Sequence, residues 1–394
     1  MKIVNRGLLI IGFLTVLTFA IAFARGYRIN FNKKVLTSTG IINISAYPKA
    51  SKVTVDGELK GVTDINLTLP PGKYQIDIKK DGYTSWSKNI SLKGELVETV
   101  DALLFPINAS LSPLTNLGVT KAVAVDKSDK IIIFSDNQSP EKDGIYIFEP
   151  NNKPIAFFPP LRLIALKTFL PQGVDFTKAG VIFSPDLKQA IFEFDSLAYL
   201  FSLDEENKEL FEITGSKDTL LTAWEEEKEK KMTKILETFP KEIVKIASGS
   251  FEIFDFSPDE TRVFYRAKKA TSLPPAITPP LIGTNQTNEE RTLKKDSLYV
   301  YDKKEDKNYL ISTVQPPISK YSWYYDSDHL VLNEDGTKEK ISVVDYDGIN
   351  KQAVYSGPFE SSFYSVTTDG KIIVLANLNP EANVLPDLYL VGIK

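Results

Sequence analysis

The sequence predicts a mainly β protein that carries a single hydrophobic helix at its N-terminus. Three observations predict it. An uncharged apolar run occupies residues 7–24. Behind it, short segments alternate apolar and polar residues with period two and are separated by turn residues, as half-buried strands require. Tyr (17 residues) and Phe (23 residues) are abundant, and aromatic side chains favour strands because they pack well on a pleated surface.

The composition is that of a folded protein with more than one domain. At 394 residues the chain is too long for one ordinary domain, so we expect two or three folded units. Hydrophobic residues at 42% and charged residues at 25% are typical of globular proteins. The formal net charge of -4 is small and both signs are interspersed, which argues against nucleic acid as a partner.

Motifs for catalysis or metal binding are scarce. The sequence has no cysteine, which excludes disulfides, thiolate zinc sites, thiol nucleophiles and a lipidated cysteine. Its one histidine, His329, lies in the turn Asp326-Ser327-Asp328-His329, where we expect it to bond locally. The G-x-S-x-G, Walker A, H-E-x-x-H and calcium-loop patterns are absent. We therefore predict no catalytic site, no metal and no cofactor.

Residues 7–24 are predicted to form a transmembrane helix. As a helix the run would extend about 27 Å, which roughly matches the hydrocarbon core of a bilayer. The A-x-A spacings within residues 20–24 would also suit a cleaved signal peptide, but the basic residues Arg25 and Arg28 favour a retained anchor. The predicted arrangement is a signal-anchor helix over residues 1–28, followed by a linker over residues 29–39.

The orientation of this anchor is argued from charge. Lys2 and Arg6 precede the apolar run, and a short basic N-terminus is usually retained in the cytoplasm. The basic residues that follow the run favour the opposite orientation, although large domains translocate largely regardless of charge. We expect a single-pass protein of the cell membrane, with its C-terminal domains extracytoplasmic.

Residues 40–106 are predicted to form a small antiparallel β-sandwich. Alternation such as Ile42-x-Ile44-x-Ala46 indicates its strands, and Asp-Gly pairs supply the turn residues that tolerate positive φ. The ordered series of motifs resembles a PEGA domain over nearly the whole segment. The residues that carry the resemblance are Pro48, Asp56, Gly57, Gly61, Thr63, Gly72, Tyr74, Gly82, Tyr83 and Trp86.

One departure concerns the tetrad that names this family. Where the family has Pro-Glu-Gly-Ala, this chain has Pro48-Lys49-Ala50-Ser51, so the backbone freedom of the glycine is absent. The resemblance implies a binding or spacer module of envelope and surface proteins and carries over no catalytic residue. We expect the motif residues to shape turns or fill the core; the alternative is an exposed Tyr83 or Trp86 that stacks on a sugar.

Residues 107–394 are predicted to form a β-propeller-like domain. A strand, a turn containing Asp and a second strand recur in the same order, and such repeats pack on their neighbours. The Ser-Pro-Asp turns resemble those of WD40-like and TolB-like propellers, and about 40 to 45 residues per blade would give six or seven blades. The Asp residues, which we expect to accept hydrogen bonds within their turns, are Asp126, Asp186, Asp259, Asp326 and Asp369.

Two stretches depart from the repeat. Residues 223–247 place apolar side chains at helical spacing opposite a highly charged face, which predicts a helical insert. Residues 271–295 are Pro-rich with few apolar positions and predict a long loop. Long loops in compact domains are often functional, so this loop is a candidate for contact with a partner.

These features predict a membrane-anchored, extracytoplasmic binding or scaffold protein of the cell envelope. Its propeller and PEGA-like domain would recognise a protein or glycan. The alternative is a propeller-type hydrolase or lyase that acts on envelope polysaccharide. Such an enzyme would need two carboxylates about 5 to 10 Å apart across a cleft, whereas Asp326 and Asp328 lie in one turn.

Overall fold

The computed structural model describes residues 2–24, 28–30, 35–125, 127–136, 139–150, 160–313, 321–334, 340–360 and 362–393. They divide into two compact units. The first unit comprises Met1–Ile107 and Ile277–Asn288, and the second comprises Asn108–Ala276 and Glu289–Lys394. Strands predominate over helices in the described residues, which confirms the prediction of a mainly β protein.

The N-terminal helix, α1, runs from Lys2 to Ala24. Within the described part of the chain, no helix combines the length and the apolar character that a membrane crossing requires. The predicted transmembrane helix is therefore wrong. Two short strands, β1 (Arg28–Asn30) and β2 (Val35–Thr37), pair with each other after α1.

Within the first unit, strands between residues 40 and 103 form a two-sheet sandwich. Its strands are β3 (Gly40–Tyr47), β4 (Lys52–Val55), β5 (Glu58–Val62), β6 (Ile65–Leu69), β7 (Gly72–Lys79), β8 (Ser85–Leu92) and β9 (Val97–Leu103). They form sheets in the orders β6-β3-β9 and β5-β4-β7-β8 around a core that includes Ile44, Ile76 and Trp86. Strands β3 and β9 are parallel, so the sandwich is not purely antiparallel as predicted. Period-two alternation reports which face is buried and does not distinguish parallel from antiparallel pairing.

The second unit consists of short strands with a helical insertion. Its strands are β10 (Ser110–Pro113), β11 (Lys121–Ala124), β12 (Ile131–Ser135), β13 (Gly144–Phe148), β14 (Leu161–Leu166), β15 (Gly180–Phe183), β16 (Gln189–Phe194), β17 (Leu197–Ser202), β18 (Phe211–Glu212), β19 (Phe251–Phe256), β20 (Arg262–Ala267), β21 (Thr271–Ser272), β22 (Thr292–Leu293), β23 (Leu298–Asp302), β24 (Lys307–Ser312), β25 (Tyr321–Trp323), β26 (His329–Glu334), β27 (Lys340–Asp345), β28 (Gln352–Tyr355), β29 (Tyr364–Val366), β30 (Ile372–Ala376) and β31 (Asp387–Gly392).

These strands form five four-stranded antiparallel sheets and one small ribbon. Sheets I to V have the orders β11-β12-β13-β14, β15-β16-β17-β18, β19-β20-β23-β24, β25-β26-β27-β28 and β10-β31-β30-β29, and β21 pairs with β22. Sheet V therefore joins the first and last strands of the unit. Among the described residues the structure has five such sheets. It does not support the predicted propeller of six or seven blades. The length estimate was too high because a helical insertion and the Pro-rich stretch take up chain that it assigned to blades.

The helical insertion consists of α2 (Lys217–Leu236) and α3 (Lys241–Ser250), with Pro240 at the start of α3. The N-terminal part of α2, which includes Trp224, packs against sheet II. The C-terminal part of α2 and the buried face of α3, which includes Ile243, pack against sheet III. The insertion therefore connects these two sheets, whereas sheets I and II share one apolar core directly.

Candidate functional site

The turn residues of the sandwich lie where the motifs predicted them. Asp56 and Gly57 have φ of 50° and 82° in the hairpin between β4 and β5, and Gly82 has φ of 82° before β8. The carboxylate of Asp56 also accepts a hydrogen bond from the backbone N–H of Gln75 at 2.8 Å. Gly61 has φ of 150°, outside the range that non-glycine residues favour. Asp56, Gly57 and Gly82 turn the chain, whereas Gly61 lies within β5 beside a register shift in its pairing with β4.

The segment that replaces the family tetrad is held by hydrogen bonds to Thr63. The buried Ser51 donates its backbone N–H to the Thr63 hydroxyl at 3.1 Å, and its own hydroxyl donates to the Pro48 carbonyl at 2.6 Å. Ala50, at the position of the family's glycine, has φ of 58°. A residue that carries a Cβ adopts this conformation only at a cost in free energy, and glycine adopts it without that cost.

The aromatic motif residues belong to the core of the sandwich. Trp86 is 4% exposed and lies in the core cluster, so its indole face is not available to a sugar. Tyr83 is half-buried and packs against the same cluster. The Tyr74 ring also packs there, and its hydroxyl donates to the Pro70 carbonyl at 2.8 Å. Gly72 begins β7 two residues before Tyr74.

Sequence reasoning missed an exposed polar face on the sheet β6-β3-β9. Side chains that alternate with the buried ones form it, and the apolar Ile41 and Val97, 38% and 58% exposed, lie on the same side. Its six polar residues are Asn43, Asn66, Thr68, Thr99 and Asp101, which are exposed, and Ser45, which is half-buried. Asn43 lies opposite Asn66 on one neighbouring strand and opposite Thr99 on the other. We call these six residues the polar face. The alternation of β3 could have revealed it, because the positions between buried isoleucines must point to the other side of the sheet.

The Asp residues of the repeated turns bond within those turns. Asp186 accepts from the Ser184 hydroxyl at 2.7 Å, Asp259 accepts from the Ser257 hydroxyl at 2.7 Å, and Asp369 accepts from the Thr367 hydroxyl at 2.5 Å. The hydrogen bond from Ser184 lowers the pKa of Asp186. Partial burial raises the pKa of Asp259, but bonds from Ser257, Thr261 and Lys304 outweigh it and lower the pKa. Asp126 lies outside the described residues.

Sheets III and IV meet at a buried guanidinium. Arg262 Nε lies 2.7 Å from Asp302 Oδ2, and both side chains are at most 10% exposed. Its Nη1 donates to the Ser327 carbonyl at 2.8 Å and lies 3.1 Å from Asp328 Oδ1. The guanidinium also lies 3.8 Å from the centroid of the Tyr346 ring. The guanidinium is therefore paired with two carboxylates and a carbonyl and lies against an aromatic ring.

His329 lies beside it, between two carboxylates. Its Nδ1 is 2.7 Å from Asp326 Oδ2 and its Nε2 is 3.3 Å from Asp345 Oδ1, so both nitrogens act as donors only in the protonated ring. Burial lowers the pKa of His329, but the charges and hydrogen bonds of Asp326 and Asp345 raise it well above the ordinary value. The structure thus brings Asp326 and Asp345 together around a cation and not across an open cleft.

No group of three or more His, Asp or Glu residues suited to a metal occurs in the part of the chain that the structure describes. The charged groups around Arg262 and His329 pair with one another where sheets III and IV meet. The polar face has the exposed donors and acceptors of a binding surface. We therefore take the polar face as the candidate functional site.

The middle of the Pro-rich stretch belongs to the first unit. Strands β21 and β22 pair at its base, and residues Ile277–Asn288 group with the sandwich. Gln286 contacts Ser91 of β8 with both atoms of its carboxamide: Oε1 accepts from the backbone N–H at 2.7 Å and Nε2 donates to the carbonyl at 3.0 Å. Part of the predicted partner-contact loop thus contacts the chain itself.

Several solved structures are similar to this chain at low identity. A protein assigned as TolB from Agrobacterium tumefaciens matches at 11% identity and a TM-score of 0.21, with 63% of this chain and 66% of that one covered. TolB from Acinetobacter baumannii matches at 11% identity and a TM-score of 0.25, with 81% and 59% covered. An acylaminoacyl peptidase from Pyrococcus horikoshii matches at 11% identity and a TM-score of 0.19, with 68% and 36% covered. The chain spans less than two thirds of the length of each of these proteins, and such TM-scores do not establish a shared fold.

No curated protein sequence matches the chain. A family model does match part of it, over residues 39–105, and that model describes the PEGA domain. The match coincides with the sandwich of β3 to β9 and with the motifs that carry the resemblance. Residues 39–105 of this chain therefore match the PEGA domain family.

Proposed function

We propose that this protein is a non-enzymatic binding or scaffold protein of the cell envelope. The PEGA domain recognises a protein or glycan partner outside the cytoplasm, and the five-sheet unit provides further contact surface. The PEGA match supports the envelope setting, because domains of this kind occur in envelope and surface proteins. The charged groups of the five-sheet unit support a structural role, because Arg262 and His329 are paired within an interface between sheets.

The observation that carries the proposal is the polar face. Its amides, hydroxyls and carboxylate are arranged on three neighbouring strands, which lie about 4.8 Å apart, so they offer donors and acceptors at regular spacing. Two of its side chains bond to each other: the Ser45 hydroxyl donates to Asp101 Oδ1 at 3.0 Å. Tyr47, 43% exposed, adds an aromatic ring at the end of β3.

Binding to isolated cell-envelope material tests this proposal. The double variant Asn43→Ala, Thr99→Ala removes two groups from the polar face. We expect it to bind envelope polysaccharide or envelope protein at least about tenfold more weakly, because each lost hydrogen bond leaves a partner group unpaired. The matched control is Asn89→Ala, which removes an exposed asparagine from the other sheet of the sandwich.

Two results would contradict the proposal. Equal binding by both variants and the unchanged protein would exclude the polar face as the contact surface. Resistance of the protein to externally added protease in intact cells, with digestion after lysis, would exclude an extracytoplasmic location.

A further inference from the structure

The polar face is ordered in rows that cross its three strands. In the middle row Asn43 of β3 lies opposite Asn66 of β6 on one side and opposite Thr99 of β9 on the other. Neighbouring strands lie about 4.8 Å apart, and rows follow one another roughly every 6.7 Å because alternate residues of a strand share a face. In the next row Ser45 lies opposite Asp101. The middle row therefore presents two carboxamides and one hydroxyl at regular spacing.

The groups of the middle row suit the hydroxyls of a sugar. A carboxamide offers donors and an acceptor together, and a hydroxyl does the same. Each sugar hydroxyl is also both a donor and an acceptor, so these groups can bond to it in either direction. Ile41 and Val97, which lie opposite each other in the adjoining row, add aliphatic surface on which the C–H groups of a sugar ring can pack. The face thus offers both polar and apolar contacts to a sugar ring.

The charge of the face argues against an anionic ligand. Among the described residues that β3, β6 and β9 present on this side, Asp101 alone is charged. Proteins bind phosphates and carboxylates mainly through Arg and Lys, and these three strands contain neither. An anionic chain would therefore meet no counter-charge on the strands and would be repelled by Asp101. The face favours an uncharged ligand.

The composition of the face also differs from the centre of a protein interface. Such centres are enriched in Trp, Tyr, Phe, Met and Arg, whereas their polar groups lie at the rim. The centre of the polar face is Asn43, which has polar neighbours on both adjacent strands. A protein partner that placed apolar side chains there would leave these amides and hydroxyls unpaired, which is costly. A sugar would replace their water with its own hydroxyls.

We propose that the polar face binds an uncharged polysaccharide, with the row of Asn66, Asn43 and Thr99 at the centre of the contact. The inference rests on the proposed function, because it names the occupant of the same surface. It also assigns a binding role to Asn66, which lies on the edge strand β6.

Selective destruction of isolated cell-envelope material tests the class of the ligand. One portion is treated with trifluoromethanesulfonic acid, which cleaves glycosidic bonds and spares peptide bonds, and another portion is digested with protease. We expect the full-length protein to lose binding to the acid-treated portion and to keep binding to the protease-treated portion. Binding to the protease-treated portion should weaken about five- to tenfold in Asn66→Ala, because one buried hydrogen-bonding group of the ligand loses its partner. The matched control is Asn89→Ala, an exposed asparagine on β8 of the other sheet.

The salt dependence of the same binding tests the charge of the ligand. An uncharged polysaccharide forms no ion pairs, so we expect the affinity to stay within about twofold between roughly 0.05 and 0.5 M NaCl. An anionic ligand held by cationic groups elsewhere on the protein would bind more weakly as the salt concentration rises.

Four results would overturn the inference. Binding that survives the acid treatment, or that is lost after protease digestion, would assign the occupant to a protein and leave the proposed function intact. A loss of affinity at high salt would show an anionic ligand. Equal binding by Asn66→Ala and Asn89→Ala would exclude the middle row from the contact. Failure of the protein to bind even the untreated material would instead contradict the proposed function itself.

Discussion

Two residues of this chain, Ala50 and His329, differ from most residues of their type, Ala50 in its backbone conformation and His329 in its protonation. Ala50 adopts a left-handed φ because the turn between β3 and β4 requires it, although the residue lacks the freedom of glycine. His329 retains a proton because two carboxylates flank it. Both features predict measurable effects on stability.

Restoring glycine at position 50 should stabilise the PEGA domain. Ala50→Gly relieves a left-handed conformation and is expected to raise the free energy of unfolding by about 1 kcal/mol. Hydrogen exchange at the Ser51 and Thr63 amides measures this locally. The matched control is Ala46→Gly in the strand β3, which should lower stability by roughly 0.5–1 kcal/mol. A loss of stability in both variants would refute the assigned strain.

The protonation of His329 predicts that the stability of the folded protein decreases as the pH rises. The folded-state pKa of His329 is raised above its unfolded value, so its stabilising contribution is complete below about pH 6.5. As the pH rises above 6.5, the unfolded chain loses the proton while the folded protein keeps it, and stability falls until the raised pKa is passed. Urea unfolding between about pH 6 and pH 9 measures this decline. The decline should disappear in His329→Gln, and its persistence there would assign it to another group.

At the scale of elements, packing between sheets depends on groups far apart in sequence. Arg262 at the start of β20 pairs with Asp302 at the end of β23, and it also reaches the turn before β26. Local sequence patterns predicted the strands and the turns but not this pairing. The helical insertion is similar: its apolar spacing predicted a helix, but the contacts of α2 and α3 decide that it connects sheets II and III.

Removing the buried guanidinium should be far more damaging than removing an exposed ammonium nearby. Arg262→Met leaves Asp302, 1% exposed, without its counter-charge and is expected to destabilise the second unit by about 3–5 kcal/mol. Lys304→Met removes an exposed ion pair with Asp259 and should cost at most about 1 kcal/mol. Denaturant unfolding of both variants measures the difference. Equal effects would mean that the Arg262 pair contributes no more than a surface pair.

At the scale of the whole molecule, the second unit closes on itself through its two ends. Strand β10 pairs with β31 in sheet V, and Asp387 at the start of β31 binds the segment after β10. Its Oδ1 accepts from the Thr115 hydroxyl at 2.9 Å and from the backbone N–H groups of Leu117 and Gly118 at 2.9 and 3.2 Å. This closure joins parts of the chain about 270 residues apart.

Asp387→Ala should weaken this closure. Loss of the carboxylate leaves three donors without their acceptor, and we expect the free energy of unfolding of the second unit to fall by about 1–3 kcal/mol. Faster hydrogen exchange at Leu117 and Gly118 would localise the loss. Glu381→Ala, at an exposed position in the segment before β31, is the control and should have little effect. Unchanged exchange in Asp387→Ala would show that the strand pairing alone maintains the closure.

Features that depend on neighbours along the chain could be predicted from the amino-acid order: the mainly β character, the hairpin at Asp56-Gly57, the Asp-containing turns and the resemblance to a PEGA domain. The number of sheets, the parallel pairing of β3 with β9, the polar face and the contact of Gln286 with Ser91 depended on the tertiary structure. The apolar character of residues 7–24 predicted a membrane crossing that the structure does not support. The physical reason for this division is that period and turn chemistry are local properties, whereas pairing partners and long-range contacts are chosen by packing.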